Sequence, residues 1–207
     1  FLPANFQGSL LNATGTPIAN VKPLEKTKAI QTAKQNLVRS LNQITLNQTQ
    51  GNAALESAII NHELAARMQV AIPELLDIGN EPESIRNLYG MDSDFEHTRT
   101  YARECLLARR LVERGVRFIE LTIPMVNGYQ RWDAHGNLKK NHGDNARAVD
   151  QPIAGLIQDL KQRGLLDETL IVWSGEFGRT PFAQGSDGRD HNEFGFSAWM
   201  AGGGIKG

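Results

Sequence analysis

Residues 169–181 read Thr-Leu-Ile-Val-Trp-Ser-Gly-Glu-Phe-Gly-Arg-Thr-Pro, and Asp190-His191 follow soon after. The apolar run that ends abruptly in Gly175-Glu176 predicts a buried strand that delivers a carboxylate to the loop at its carboxyl end. In open α/β sheets, ligands bind at the carboxyl ends of the strands. The stretch therefore predicts an α/β sheet with a polar site at its edge.

Two further strands and a helix are predicted around this stretch. Residues 116–123 and 196–201 are rich in apolar and β-branched or aromatic residues, which predicts a strand in each. Between the first strand and 170–173, the apolar spacing predicts a helix whose regular part begins near Asp150, because Pro152 suits a first helical turn. This order predicts a βαβ unit with parallel strands and a right-handed crossover.

The preceding part of the chain is predicted to be mainly helical. An extended start is followed by two helices, 24–47 and 53–70, that form a hairpin, with Pro73 closing the second. Further helices are expected from Glu81-Pro82-Glu83 and from Ser93 or Asp94 to Glu113. We therefore predict a helical region, 1–113, packed on the C-terminal part of an α/β metal-site domain, 114–207.

Composition excludes several classes of protein. The chain has 207 residues, is 40% hydrophobic and carries a formal net charge of −1, so no basic surface favours nucleic acid. It contains no apolar run long enough to span a membrane. Its one cysteine, Cys105, lies in an apolar stretch and is expected to be a buried thiol. The start at Phe1 and the glycine-rich end suggest a fragment of a longer protein.

Carboxylate and imidazole side chains gather in three loops. Asp133 and His135 are two residues apart, Glu176 follows the apolar run, and Asp190 precedes His191. Such a mixture suits a divalent zinc, manganese or iron ion better than calcium or magnesium alone. The metal would be held by Asp133, His135, Glu176, Asp190 and His191.

Each of these candidate ligands also has a simpler interpretation. The Asp133 loop can be an Asx-type turn with a surface histidine, the loop around Asp190 can be a polar connection, and Glu176 can pair with Arg179. If a metal is bound, Arg179 or Arg189 could hold an anionic group. No nucleophile motif and no glycine-rich phosphate loop are present.

Several long motifs resemble the bacterial family known as domain of unknown function 1501. They cover nearly the whole chain: residues 63–69, 88–90, 105–118, 132–136, 150–153, 175–181 and 188–191. That family resembles a branch of the alkaline-phosphatase-like superfamily, which includes sulfatases, phosphodiesterases and cofactor-independent phosphoglycerate mutases.

The superfamily resemblance implies a doubly wound, mainly parallel α/β sheet with two metals at the carboxyl ends of its strands. Asp133 and His135 resemble the metal loop, Glu176 stands where an Asp follows the late strand, and His191 resembles the final histidine ligand. Phe177 stands where the superfamily has a second ligand histidine. A Ser, Thr or Cys nucleophile is expected near the amino terminus of the full protein, outside this chain.

These observations lead to two functional hypotheses. The first is a metal-dependent hydrolase of sulfate or phosphate esters, with Arg179 as the anion clamp and a small anionic ester, including a sulfated carbohydrate, as substrate. The second is a non-catalytic binding or surface-associated protein that retains the fold. Relatives often carry an export signal, so we expect a periplasmic or exported protein. A nicotinamide enzyme is excluded because no Gly-x-Gly-x-x-Gly follows a strand.

Overall fold

The computed structural model describes residues 8–12, 24–49, 52–123 and 132–206, without the side chains of residues 68, 70 and 71. The chain divides into two compact units, Phe1–Asp77 and Ile78–Gly207. Helices account for 57% of the described residues. None of the described helices is both long and apolar enough to cross a membrane.

The first unit contains a helical hairpin. Helix α1 spans Lys28–Thr49 and helix α2 spans Ala53–Leu76. Asn52 caps α2, because its side-chain oxygen accepts hydrogen bonds from the amides of Ala54 and Leu55 at 3.0 and 3.2 Å. Helix α2 continues past Pro73, the residue predicted to close it.

Three helices form the core of the second unit: α3, Glu83–Tyr89; α4, Glu96–Glu113; and α5, Leu138–Gln162. Gly90 ends α3 in the left-handed conformation, with φ of 78°, which glycine adopts without steric cost. The buried core consists of Tyr89, Met91, Tyr101, Ala102, Cys105, Leu106, Ala148, Val149, Leu156 and Leu160. The Cys105 thiol is buried as expected, and burial raises its pKa, so it is an inert core group.

A buried ion network links the three helices. Asp159 on α5 accepts a hydrogen bond from the Tyr89 hydroxyl at 3.0 Å and pairs with Arg109 on α4, also at 3.0 Å. Arg109 in turn pairs with Glu81 and Glu113 at 2.9 and 2.7 Å. The network satisfies charges that would be costly to bury alone.

Helix α5 begins at Leu138, twelve residues before the predicted start near Asp150, with Pro152 in its interior. Its first amides are satisfied from outside, because Asp187 accepts hydrogen bonds from Asn137 and Leu138 at 3.0 and 3.3 Å. Pro152 lacks only one backbone donor. Its ring is buried on the face of α5 that packs into the core, and this burial offsets the lost hydrogen bond.

The strands are short and antiparallel. Strand β1, Leu170–Ser174, pairs with β4, Ala198–Gly202, so that Trp173 lies opposite Trp199. Strand β2, Gly178–Arg179, pairs with β3, His191–Asn192. The described residues therefore contain two two-stranded antiparallel sheets.

The prediction of a doubly wound, mainly parallel sheet is wrong. The segment between β1 and β4, 175–197, contains no helix, and a parallel pair would need a long crossover there. The predicted strand at 116–123 also does not form with any described residue. Leu121 and Ile123 pack against the core, whereas Phe118 is 83% exposed.

Candidate metal centre

Three predicted site residues converge in the second unit. Asp133 and His135 lie in the turn before α5, and His191 begins β3. One Asp133 carboxylate oxygen, Oδ1, is 2.8 Å from His135 Nε2 and 3.1 Å from His191 Nε2. The three potential ligand atoms all lie within 4.8 Å of one another. We refer to Asp133, His135 and His191 as the triad.

The β2–β3 ribbon positions His191. Arg179 lies opposite His191 in the ladder, and Thr180 donates its amide to the Asp190 carbonyl at 2.9 Å. The ribbon lies very close to the following loop, since a Cβ on Gly178 would be 1.5 Å from the Gly195 carbonyl oxygen. Only glycine allows this approach, so Gly178 fixes where the His191 strand lies.

The loop 184–189 fixes the other side of the triad. Gln184 and Gly188 exchange two backbone hydrogen bonds of 3.0 Å, and the Arg189 amide donates to the Ala134 carbonyl at 3.0 Å. A Cβ on Gly188 would lie 2.0 Å from the His135 carbonyl oxygen. The backbone at Gly188 therefore packs directly on the backbone that carries His135.

Gln184 holds the His135 ring through a short contact between its side-chain oxygen and His135 Nδ1. With that oxygen as acceptor, Nδ1 carries a proton, and Nε2 is the nitrogen that faces Asp133, where a metal would replace the hydrogen bond between Nε2 and Oδ1. This tautomer is the one that a metal ligand at Nε2 requires. Nothing in the sequence around Gln184 marks it as part of the site.

Arg179 contacts the same oxygen as the two histidines. Its Nη2 donates to Asp133 Oδ1 at 2.8 Å and to the Trp132 carbonyl at 3.4 Å, and its Nη1 donates to the Arg189 carbonyl at 3.5 Å. Desolvation tends to raise the pKa of Asp133, but the hydrogen bonds from His191 and Arg179 outweigh it and leave the pKa lowered. Asp133 is therefore a carboxylate at neutral pH.

Aromatic rings lie next to the triad. The Phe177 ring centroid is 4.3 Å from that of His191, and the Trp132 ring meets Trp173 edge-on at 6.3 Å. Trp132 also meets His142 edge-on at 5.7 Å. Desolvation and the positive charge of Arg179 lower the pKa of His142, so this ring is neutral near pH 7 and lies outside the triad.

The structure does not bring Glu176 or Asp190 into the triad. The Glu176 side chain is exposed and forms no hydrogen bond or ion pair with a described residue, and Arg179 pairs with Asp133 instead. Asp190 Oδ1 accepts the hydrogen bond of the His191 amide at 2.8 Å, so its carboxylate caps the backbone next to the triad. Their roles as ligands stay predictions.

The donor set fits a divalent transition metal. Two imidazole nitrogens and one carboxylate oxygen are typical zinc ligands, and ligand atoms around a tetrahedral zinc ion lie about 3.3 Å apart. The Asp133–His191 and Asp133–His135 distances are already close to that value. The triad side chains are 34–46% exposed. Three protein ligands with access to solvent are typical of a metal site with an open position.

A comparison with known protein families supports the resemblance drawn from the motifs. The family model described as "Protein of unknown function (DUF1501)" matches residues 1–207. The chain belongs to this family. Neither the curated proteins nor the solved structures contain a match to the chain. In this DUF1501 chain, the turn before α5 and the β2–β3 ribbon supply the potential metal ligands.

Proposed function

We propose that this DUF1501 chain holds a divalent metal ion on the triad and that the protein hydrolyses phosphate or sulfate esters. The observation that carries the proposal is the convergence of His135, His191 and Arg179 on a single oxygen of Asp133. This arrangement combines a metal donor set with a guanidinium group, the two parts that recognition of an anionic ester needs.

Each residue has a chemical role in this proposal. A bound divalent metal would lower the pKa of a bound water and polarise a phosphoryl or sulfuryl oxygen. His135 and His191 would bind the metal through Nε2 in place of their hydrogen bonds to Asp133, and Gln184 would keep the Nδ1 proton of His135. Asp133 supplies a carboxylate charge that offsets part of the metal charge.

Arg179 is suited to hold the ester anion. Two of its three hydrogen bonds, those to the Trp132 and Arg189 carbonyls, are long, at 3.4 and 3.5 Å. The charged oxygens of a phosphate or sulfate ester form shorter and stronger hydrogen bonds with guanidinium than a neutral carbonyl does. Arg179 can therefore exchange these two bonds for an anionic substrate while it stays next to Asp133.

The remaining parts of the proposal come from the resemblance to the alkaline-phosphatase-like superfamily. We propose a distant relationship to that superfamily through Asp133, His135 and His191, without its doubly wound sheet. The substrate would be a small anionic ester, including a sulfated carbohydrate, and the protein would be periplasmic or exported. The nucleophile would come from a part of the natural protein outside residues 1–207.

The experiment is metal analysis and ester hydrolysis by the full natural polypeptide. We expect about one zinc or manganese ion per chain and turnover of 4-nitrophenyl phosphate or sulfate that a chelator abolishes. Arg179→Gln should lower kcat/KM by about 10²–10³-fold with unchanged metal content, because it removes charge stabilisation of the transition state. Arg189→Gln is the matched control and should stay near wild type.

Three results separate the alternatives. Less than about a tenth of a metal ion per chain, with no thermal stabilisation by zinc, would overturn the metal centre and the hydrolase together. Stoichiometric metal without turnover of either ester would favour the binding-protein hypothesis. If Arg189→Gln lowers turnover and Arg179→Gln does not, the assignment of Arg179 as the anion clamp is overturned.

A further inference from the structure

The helical hairpin of the first unit exposes its apolar stripe. Ile30, Leu37, Leu41 and Ile44 are 53–61% exposed, and none of the α1 residues is buried. Two polar contacts join α1 to α2: Gln31 donates to Gln69 at 2.9 Å, and Arg39 lies 3.6 Å from Glu63. An amphipathic helix normally buries its apolar stripe. Within the described residues of the first unit, this stripe has no partner.

The apolar stripe lies on one side of the hairpin. The contacts of Gln31 with Gln69 and of Arg39 with Glu63 show that the helices are antiparallel. Ile30, Leu37 and Leu41 each precede a half-buried α1 position, so they lie about 100° to one side of the α1–α2 contact.

On α2, three exposed residues precede half-buried positions in the same way: Ala58, His62 and Ala65. In two antiparallel right-handed helices, the position that comes just before a contact position lies on the same side of the pair in both helices. These three α2 residues therefore lie on the same side as the α1 stripe. A surface depression lined by residues of both helices, including Lys34, His62 and Ala65, runs along this side. We call the surface of Ile30, Leu37, Leu41, Ile44 and these three α2 residues the hairpin face.

The two helices contribute side chains of different size to the hairpin face. Large apolar side chains lie along α1, and on α2 the small side chains of Ala58 and Ala65 lie on either side of His62. If two copies meet about a two-fold axis, the large side chains of each can lie over the small ones of the other. Helices pack by inserting ridges of side chains into such grooves.

The charge of the hairpin face also favours a second copy. Of the three basic residues of helix α1, only Lys34 precedes a half-buried position and so lies on the hairpin face, and it pairs with Glu25. With this cation neutralised, the face has little attraction for an anionic membrane or nucleic acid. It also meets little like-charge repulsion from an identical face.

The whole side of the hairpin that carries the hairpin face approaches the size of a standard dimer interface. Helix α1 has 22 residues and is therefore about 33 Å long, and two adjacent helices are about 20 Å wide. One side of the hairpin thus offers roughly 660 Å², close to the ~800 Å² that each partner buries in a standard interface. We propose that two copies of this chain associate through their hairpin faces to form a four-helix bundle.

The test is the molar mass of the full chain in solution, measured by size-exclusion chromatography with light scattering. Wild type should be a dimer of twice the 22.9 kDa chain mass. The double substitution Leu37→Glu with Leu41→Glu places four carboxylates in the dimer interface and should give a monomer. Glutamate is a good helix former, so circular dichroism should show unchanged helix content.

The matched control is Gln43→Glu with Leu64→Glu. Gln43 and Leu64 are both exposed, and each follows a half-buried position and precedes an exposed one, so both lie on the opposite side of the hairpin. The control should remain a dimer. A monomeric wild type, a dimeric Leu37/Leu41 variant, or dissociation by both pairs of substitutions would each overturn the proposal.

Discussion

Substitution Asp133→Asn is the most direct test of the metal centre. Asp133 Oδ1 is the atom on which His135, His191 and Arg179 converge, at 2.8, 3.1 and 2.8 Å. Asparagine keeps the shape of the side chain but removes the charge that a cation requires. We therefore expect zinc binding to be lost while the fold of the second unit is retained.

The size of the effect follows from mass action. Zinc at 100 times its Kd stabilises the native state by about 2.7 kcal/mol, which for a chain of this size raises Tm by about 5–10 °C. Loss of a ligand costs at least about 100-fold in affinity, more than loss of a residue that only orients a ligand. At the same zinc concentration, the variant should gain only about 0.4 kcal/mol, or about 1 °C.

The assay is differential scanning fluorimetry with and without zinc. Without zinc, Asp133→Asn should change stability by less than about 1 kcal/mol, because its pair with Arg179 is partly exposed. Glu193→Gln, an exposed carboxylate near His191 but outside the triad, is the control and should keep the full zinc shift. If Asp133→Asn keeps that shift as well, the triad is not the zinc site.

Three further predictions concern neighbouring groups. Gln184→Ala should weaken zinc binding about 10–100-fold by calorimetry, and Gln184→Glu should restore it, because a carboxylate also accepts the His135 Nδ1 proton. Asp159→Ala should lower the free energy of unfolding in urea by about 3–5 kcal/mol, since the Tyr89 hydroxyl loses its buried acceptor and the ion network is broken; a loss below about 1 kcal/mol would contradict this. Burial raises the pKa of Glu104 to about 7, and its Oε2 atom is buried without a hydrogen bond. In the unfolded chain the Glu104 carboxyl loses its proton above about pH 4.5, whereas in the folded chain it keeps the proton up to about pH 7. The destabilisation of the folded state by this group therefore grows between these two pH values. Glu104→Gln should thus stabilise the protein by about 1–2 kcal/mol at pH 8 and little at pH 4, and an equal gain at both would refute the cause.

The triad was predictable from sequence because its chemistry is visible in residue types. Imidazole and carboxylate groups near glycines indicate Asp133, His135 and His191 as potential metal ligands from the sequence alone. Gln184 was not predictable, since its role depends on the packing of Gly188 against the His135 backbone. Glu176 was expected to join the triad because it follows a strand, but the turn at 175–177 leaves its side chain exposed.

Sheet topology was the main failure of the sequence-based prediction. The composition of 170–173 and 196–201 indicated strands, and β1 and β4 form there. Composition cannot indicate which strand pairs with which, or in which direction, because the same alternation suits parallel and antiparallel ladders. The strand expected at 116–123 has the right residues, but the described structure offers it no partner in a ladder.

The chain of aromatic contacts around β1 also provides an optical probe. The protein has three tryptophans, and all of them belong to the second unit: Trp132, Trp173 and Trp199. Trp173 stacks on Trp199 at 6.4 Å, and Trp132 adjoins Asp133 of the triad. Intrinsic fluorescence therefore reports on the second unit alone, whereas far-ultraviolet circular dichroism also records the hairpin. A difference between the two denaturation curves would reveal whether the units unfold separately.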